Sequence, residues 1–236
     1  MLFSPSNGRI ISKASTLPSF KTAFQRCKNM VAIIDYGAGN LQSVTKALQF
    51  IGCEPVITSD RDTILAADHC ILPGVGSFGD CMTSIRKAKL ENTIHDFADS
   101  GKPFLGICLG LQMLFEESDE SAGHTGLGIF PGKIRRIPAD SGLKIPHIGW
   151  NSLDICKRDG VFANLPENPY VYFVHSYYLH AEDPSIVSAR TSYGVQIDAA
   201  VQFGNVHATQ FHPEKSGAVG LQIMRNFISL KQIPTL

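Results

Sequence analysis

One cysteine of this 236-residue chain has the sequence context of a catalytic nucleophile. Cys108 is the centre of GICLG at 106–110, a G-x-C-x-G pattern between a predicted strand and a predicted helix. In a nucleophile elbow the flanking residues are small because the turn is tight, and the turn imposes unfavourable backbone geometry on the nucleophile. The N-terminus of the following helix favours the thiolate. A structural cysteine in a glycine-flanked turn is the alternative, and the pattern favours catalysis over it.

A base and a carboxylate for such a nucleophile occur together near the end of the chain. Pro213 is expected to keep its segment extended, so that His212 and Glu214, as alternate residues, project to the same side. A thiol nucleophile needs a base, and the base needs a carboxylate to fix its tautomer. His-Pro-Glu alone is a weak signal, because a surface loop could contain it. Together with Cys108, it predicts a Cys-His-Glu triad.

The glycine-rich segment PGVGSFG at 73–79 allows two functional interpretations. Residues 74–79 spell GxGxxG after a strand and before a helix, which is the dinucleotide-binding fingerprint. That fingerprint belongs to the first strand–helix turn of its unit, whereas at least two predicted strands precede it here. We therefore favour an oxyanion hole, in which backbone amides of this loop act together with the amide of Leu109. For any single glycine, a tight turn is an equally good explanation.

The periodicity of the chain predicts an α/β fold. Strands are predicted at 31–35, 55–58, 69–72 and 104–107, and helices at about 41–51, 80–98 and 109–117. Asn40 is expected to cap the first helix. Alternating strands and helices form a parallel sheet that is covered on both faces. After residue 123, strand-like segments follow one another up to a final helix around 221–228, so the C-terminal half should add antiparallel or mixed sheet.

The composition is that of a globular protein. The chain has 44% hydrophobic and 18% charged residues, with 21 basic and 21 acidic side chains, and its length is sufficient for a large core. Zero formal net charge argues against an electrostatic nucleic-acid binder, and no apolar run is long enough to span a membrane. The six cysteines show no CxxC pair and no zinc-type spacing. Most are expected to be buried, reduced and small hydrophobic residues.

The first thirty residues differ from the rest of the chain. They contain five basic residues and no Asp or Glu, with apolar residues at helical spacing, as in an organellar transit peptide. An over-called start, with translation beginning at Met30, explains them equally well. Residues 1–30 are therefore predicted to be an extension without ordered structure, and 31–236 a single domain. The expected location is the cytoplasm, or an organelle if the extension is a transit peptide.

Taken together, these motifs resemble those of the class I, triad-type glutamine amidotransferases, over about residues 31–231. The matching segments are DYGAGN (35–40), PGVGSFG (73–79), GICLGLQMLFEES (106–118), PHIGWN (146–151), FVHSYY (173–178) and QFHPEKS (210–216). GxCxGxQ with HPE marks the class. PGVGSFG, PHIGWN and HPEKS mark the glutaminase subunits of imidazole glycerol phosphate synthase. The N-terminal extension is the one clear departure.

The resemblance implies a role for each motif residue. Cys108 would attack the carboxamide carbon of glutamine to give a thioester, with His212 as acid and base and Glu214 orienting it. The backbone amides of Val75 and Leu109 would hold the oxyanion. The implied glutamine-binding residues are Gly76, Gln112, Glu120, Ser176 and Tyr177. The acidic cluster around Glu120 offers neighbours that could replace it.

The resemblance also implies a partner. Ammonia would pass to a cyclase subunit, a (β/α)8 barrel in a heterodimer, for the formation of imidazole glycerol phosphate and AICAR in histidine biosynthesis. The partner-facing residues would be Trp150, Asn151, Tyr172 and Lys215. No metal, organic cofactor, nucleic acid or membrane is implied. Three alternatives stay open: the glutaminase of another class I amidotransferase, a different cysteine hydrolase on the same framework, and a non-catalytic nucleotide-binding module.

Overall fold

Strands and helices alternate in the first half of the computed structural model, which describes residues 27–37, 39–139 and 142–234. The strands are β1 (Val31–Ile34), β2 (Val56–Thr58), β3 (His69–Gly74), β4 (Phe104–Cys108), β5 (Glu117–Ser118), β6 (Gly132–Arg136), β7 (His147–Ser152), β8 (Asp154–Ile155), β9 (Tyr170–His175), β10 (Tyr177–Ala181), β11 (Val187–Tyr193), β12 (Val195–Phe203) and β13 (Val206–Thr209). The helices are α1 (Leu41–Phe50), α2 (Arg61–Ala66), α3 (Phe78–Lys87), α4 (Glu91–Asp99), α5 (Leu109–Met113) and α6 (Gly217–Ser229).

Eight of the strands form one central sheet in the order β2-β1-β3-β4-β13-β12-β11-β8. The five strands from β2 to β13 are parallel, whereas β12, β11 and β8 continue the sheet in antiparallel fashion. Two smaller sheets, β10-β6-β5 and β7-β9, lie outside it. The predicted α/β class, with a mostly parallel sheet and added antiparallel strands, is confirmed.

Helices cover both faces of the parallel strands, which explains why β1 is apolar and buried at every position. In β1, Ala32 and Ile34 belong to one hydrophobic cluster, together with buried residues of α2, α3, α4 and α5. Val31 and Ile33 belong to a second cluster, with buried residues of α1 and α6. All four side chains of β1 are fully buried. Neighbouring parallel strands are therefore held in one register, and their carboxyl ends meet at one edge of the sheet.

Three adjacent strands bring the chemistry-bearing motifs to that edge. In the register of β3 with β4, Gly74 pairs with Cys108. In the register of β13 with β4, Thr209 pairs with Ile107. The glycine-rich loop, the cysteine elbow and the segment that leads to His212 thus leave neighbouring strands side by side, although they are far apart in sequence.

The helix predicted over 80–98 is two helices. Lys89 has a positive φ of 58°, and the amide of Leu90 donates to the carbonyl of Ile85 across the break between α3 and α4. Leu90 is buried, so the hydrophobic pattern continues through the turn. Hydrophobic periodicity alone therefore does not reveal the break.

The helix predicted over 109–117 ends at Met113. The carbonyls at and just after its end accept hydrogen bonds from a later loop. The amides of Gly126, Leu127 and Phe130 donate to the carbonyls of residues 116, 113 and 114, respectively. Those bonds replace the contacts that would continue the helix, so the chain turns into β5.

Two smaller differences concern helix starts. The side chain of Asn40 makes no capping bond, and α2, capped by Asp60, was not predicted.

The described end of the predicted extension packs against the domain. Residues 1–26 lie outside the described residues. Cys27 forms a disulfide with Cys53, and Asn29 Nδ2 donates to the Ile228 carbonyl at 2.9 Å. Residues 27–30 thus differ from the expectation of an unstructured segment, and this cysteine pair differs from the expectation of reduced thiols.

Cys70, Cys81 and Cys108 are free and buried, and Cys156 is free and exposed. Within the described ranges, no helix is long and apolar enough to cross a membrane.

The packing of α5 against β3 predicts that Gly110 tolerates no side chain. A Cβ at Gly110 would collide with the carbonyl oxygen of Leu72, so Gly110→Ala should lower the free energy of unfolding by roughly 1–3 kcal/mol. Urea unfolding measures it. Thr83→Ala, on an exposed position of α3, is the control and should stay within about 0.5 kcal/mol of the wild type. Equal stability of both variants would contradict this packing argument.

Candidate active site

Cys108 has the backbone geometry predicted for a nucleophile elbow. It is the last residue of β4 and immediately precedes α5, with φ 56° and ψ −107°. A non-glycine residue in such a conformation costs about 1–3 kcal/mol and persists only where the surrounding structure enforces it. Here the enforcement is close backbone packing, because a Cβ at Gly74 would come within 2.8 Å of the Gly110 nitrogen. The glycines around the turn are therefore required by space.

His212 and Glu214 form a buried pair. His212 Nδ1 lies 2.8 Å from Glu214 Oε1, and the side chains are 2% and 1% exposed. A carboxylate only accepts, so Nδ1 carries the hydrogen and Nε2 is the ring atom left for a substrate or nucleophile. Among the described residues no atom forms a well-aligned hydrogen bond with Nε2, and the Cys108 thiol is the side chain that interacts with the ring besides Glu214. Burial lowers the pKa of His212, but Cys108 and Glu214 outweigh it and raise that pKa to about 9.

The His-Pro-Glu segment reaches this geometry through a turn and not through the predicted extended conformation. His212 is extended, but Pro213–Lys215 forms a turn of 3₁₀ helix, whereas an extended segment was expected. The turn folds Glu214 back towards His212. Ser216 Oγ donates to the His212 carbonyl at 2.6 Å, and the His212 amide donates to the Tyr172 carbonyl of β9 at 3.0 Å. The base is thus held from both sides.

A chain of amide side chains lies beside the thiol. Gln112 Nε2 donates to the Tyr177 carbonyl and to Gln210 Oε1, each at 3.0 Å. Gln210 Nε2 is 3.8 Å from Cys108 Sγ. Gln210 was not singled out from the sequence, although it begins the QFHPEKS segment. Its position two residues before His212 was the available signal.

One pocket of about 370 Å³ collects the predicted site. It contains Cys108, His212 and every residue predicted for the oxyanion hole and for glutamine binding. Its lining residues are Val75, Gly76, Cys108, Leu109, Gln112, Glu120, Pro146, Val174, His175, Ser176, Tyr177, His212 and Lys215. Glu214 lies behind His212. The glycine-rich loop thus opens into the same pocket as the thiol, which favours the oxyanion interpretation over a separate dinucleotide site.

Glu120 is the member of the acidic cluster that faces this pocket. Its Oε2 accepts from the Phe78 amide at 2.8 Å, at the start of α3. Its neighbours have other partners: Glu117 and Asp119 pair with Lys133 at 3.6 and 3.1 Å. The carboxylate of Glu120 is therefore the one placed to receive a cationic group of a small ligand.

The residues predicted to face a partner fall into two groups. Trp150 is 54% exposed on β7 and makes an edge contact with Tyr172 of β9, while Lys215 is exposed at the pocket. Asn151, in contrast, uses its amide inside the chain and donates to the Ser192 carbonyl at 3.0 Å. Further exposed apolar side chains on the β7–β9 ribbon are Ile148 and Tyr170. The ribbon thus presents an apolar surface.

Two histidines that the sequence reasoning did not select stand out. His175 lines the pocket, and its neighbour His147 is buried beside it. Their signal was their place in two of the family-type segments, PHIGWN and FVHSYY. Within residues 27–37, 39–139 and 142–234, no group of three or more His, Cys, Asp or Glu side chains is arranged to hold a metal ion.

Proteins of known family are similar to this chain along almost its whole described length. The family model described as glutamine amidotransferase class-I matches residues 32–230. Imidazole glycerol phosphate synthase subunit HisH of Thermosynechococcus vestitus is 50% identical over 202 residues, covering 85% of this chain and 96% of that protein. The protein of the same name from Methanothermobacter thermautotrophicus is 50% identical over 201 residues, covering 85% and 98%.

Solved structures share the fold. PurLQS from Thermotoga maritima superposes with a TM-score of 0.68 at 24% identity, covering 85% of this chain and 97% of that one. A crystal structure described as glutamine amidotransferase gives a TM-score of 0.66 at 19% identity, covering 84% and 97%. Their sequence identity is too low to carry function, whereas the family model and the relatives cover the elbow, the glycine-rich loop and the His-Pro-Glu segment. The chain therefore belongs to the class-I glutamine amidotransferase family.

Proposed function

We propose that this chain is the glutaminase subunit of an imidazole glycerol phosphate synthase, which hydrolyses L-glutamine to glutamate and ammonia for a cyclase subunit. The observation that carries the chemistry is the pocket in which Cys108 and the His212–Glu214 pair meet. Relatives that are 50% identical over nearly their whole length bear that synthase name, which supports the place of the reaction in histidine biosynthesis.

The first half of the reaction forms a thioester. The Cys108 thiolate attacks the carboxamide carbon, and the electron pair of the C=O bond moves to oxygen. The amides of Val75 and Leu109 stabilise this oxyanion, an effect typically worth about 10²–10³ in rate for each donor. When the oxyanion collapses, His212 gives its Nε2 proton to the leaving nitrogen, and ammonia departs.

The second half regenerates the thiolate. His212, now neutral, takes a proton from water as the water oxygen attacks the thioester carbon. The same two amides hold the second oxyanion. Its collapse releases glutamate and expels Cys108 as a thiolate opposite a protonated His212. Glu214 keeps the Nδ1 hydrogen in place throughout, so that Nε2 always faces the reaction.

Glutamine is held by groups that surround the thiol. We assign the carboxylate of Glu120 to the α-ammonium group, because it is the acidic side chain in the pocket. The backbone at Gly76, Ser176 and Tyr177 and the amide of Gln112 hold the remaining polar atoms. The site needs no metal or organic cofactor for this chemistry.

The β7–β9 ribbon is our candidate for the surface that meets the cyclase, a (β/α)8 barrel in a heterodimer. Trp150 is exposed there, and the ribbon is bonded to the catalytic segment. The amide of Tyr172 donates to Ser216 Oγ at 3.0 Å, and its carbonyl accepts from the His212 amide. A partner seated on the ribbon and near Lys215 would therefore lie against the elements that hold His212. We place this complex in the cytoplasm.

Cys108→Ala should separate the two half-reactions of the complex. Glutamine-dependent cyclase activity should disappear, because the nucleophile is gone, while activity with ammonium salt at high pH should stay near the wild-type rate. Both rates are measured on the same complex by formation of the cyclase product. Cys156→Ala, at an exposed free thiol, is the matched control and should keep both activities. Near-normal glutamine turnover by Cys108→Ala would overturn the assignment.

Glu214→Gln should change the pH dependence of glutamine hydrolysis. Glu214 helps to raise the pKa of His212 to about 9, so removing its charge should lower that pKa. The protonated ring would then be lost at lower pH, and the alkaline limb of kcat/KM should move to lower pH. Glu167→Gln, at an exposed position, should leave the limb in place. An unmoved limb in Glu214→Gln would show that Glu214 has another role.

Trp150→Ala should weaken activation by the partner. The isolated chain is expected to hydrolyse glutamine slowly, and the cyclase with its nucleotide ligand to raise turnover, through a coupling free energy of about 1–3 kcal/mol. Trp150→Ala should lower this activation and leave the basal rate unchanged, as measured by glutamate release with and without partner. Full activity of the isolated wild-type chain, unaffected by partner and ligand, would refute the coupled function.

A further inference from the structure

Two buried histidines that the proposed mechanism does not use lie against the glutamine pocket. His147 of β7 and His175 of β9 are paired across the ribbon, and His147 Nδ1 is 3.0 Å from His175 Nε2. Their exposures are 2% and 6%. Facing ring nitrogens must be one donor and one acceptor, because two donors or two acceptors would leave a buried polar atom unsatisfied.

The Tyr177 carbonyl decides which of the two rings donates. Its oxygen lies 2.8 Å from His175 Nδ1 and can only accept, so His175 Nδ1 carries a hydrogen. Burial is the main reason that the pKa of His175 is lowered to about 3, so the ring is neutral and its Nε2 is an acceptor. The hydrogen between the two rings therefore belongs to His147 Nδ1.

The other end of this chain of bonds is fixed independently. Burial lowers the pKa of His147 to about 4, so its Nε2 is also an acceptor, and Asn151 Nδ2 faces it at 3.4 Å. The orientation of the Asn151 amide follows from its other bonds, since Nδ2 also donates to the Ser192 carbonyl and Oδ1 accepts from the Ser152 amide. Three hydrogen bonds thus run in one direction, from Asn151 to the Tyr177 carbonyl.

The His147 ring is also held by aromatic packing. It stacks on Tyr193 at 3.9 Å between centroids and on Phe173 at 4.7 Å, with interplanar angles of 18° and 20°. Tyr193 is anchored by its hydroxyl, which donates to the Lys144 carbonyl at 2.7 Å. Rotation of the His147 ring would break both stacks, so its Nδ1 stays directed at His175.

The bonded chain ends on an atom that also serves the glutamine site. The Tyr177 carbonyl accepts from His175 Nδ1 and from Gln112 Nε2. Gln112 in turn bonds to Gln210, which lies beside the Cys108 sulfur. A wrong tautomer of His175 would turn a lone pair towards the Tyr177 oxygen, and the repulsion would displace the oxygen that orients Gln112.

We propose that His147 is a positioning residue of the glutaminase: by donating to His175 it fixes the tautomer that holds the Tyr177 carbonyl, and through it the Gln112 amide, in the orientation that binds glutamine. The proposal rests on the glutamine site assigned above. It gives His147 no contact with substrate. Its role is to keep the pocket organised before glutamine arrives, so its loss should act on glutamine binding more than on the chemical steps.

Two substitutions of His147 separate its hydrogen bond from its packing. His147→Phe keeps an aromatic ring between the same neighbours but has no donor. His147→Asn places an amide NH₂ near the position of Nδ1. We expect His147→Phe to raise KM for glutamine by about ten-fold, in line with the loss of one buried hydrogen bond, with kcat changed less, and His147→Asn to restore most of the affinity. Equal KM values for the two variants would overturn the proposal.

Two controls distinguish positioning from damage to the fold or the triad. Alkylation of Cys108 by iodoacetamide needs no glutamine recognition, so its rate should be unchanged in His147→Phe, and a parallel loss would overturn the proposal. Gln112→Ala tests the site itself. If Gln112→Ala raises KM and His147→Phe does not, the glutamine site is supported and only the positioning role of His147 is wrong. If neither changes KM, the assigned glutamine site is wrong, and the proposal fails with it.

The tautomers can also be read in the unmodified protein, which removes any dependence on how a variant folds. Nitrogen-15 NMR of the imidazole groups at neutral pH should show both rings neutral, with the hydrogen on Nδ1 in His147 and in His175. A hydrogen on Nε2 of either ring, or a charged ring, would overturn the proposal.

Discussion

The site depends on one steric constraint, the close contact of the β4–α5 turn with the end of β3. Gly74, Gly106 and Gly110 allow backbone to approach backbone there, and a Cβ at any of them would meet main-chain atoms at 3.0 Å or less. This packing forces Cys108 into its positive φ and directs it to the carboxyl edge of the sheet. The neighbouring strands β3 and β13 then deliver the glycine-rich loop and His212 to the same place.

The pKa of each histidine near the pocket depends on the balance between burial, which favours the neutral ring, and pairing with acidic groups, which favours the charged ring. His212 is almost inaccessible, and burial by itself favours its neutral form. Its partners reverse this preference and raise its pKa to about 9. His175 has no acidic partner among the described residues, and its pKa is lowered to about 3, mainly by burial. Two histidines near one pocket are thus prepared for different tasks. In the proposed mechanism the charged one exchanges protons, and in the proposed network the neutral one keeps a fixed tautomer.

The β7–β9 ribbon connects an exposed surface with this buried network. Its outer side carries Trp150, and its inner side carries the paired His147 and His175. Alternation of side chains along a strand produces this division, because successive residues point to opposite faces. The same ribbon bonds to His212 and Ser216 through the backbone of Tyr172. An event at the surface therefore has a physical route to His212 and to the Tyr177 carbonyl.

The sequence by itself determined the α/β class, the elbow at Cys108 and the His-Pro-Glu pair, because glycine spacing, proline and hydrophobic periodicity are local signals. Tertiary structure decided the rest. It ended α5 at Met113 by supplying other hydrogen-bond partners to the following carbonyls. It also folded Glu214 back towards His212 in a turn, where Pro213 had predicted an extended segment. It also paired His147 with His175. That pairing depends on strand register between segments 28 residues apart, which no local pattern encodes.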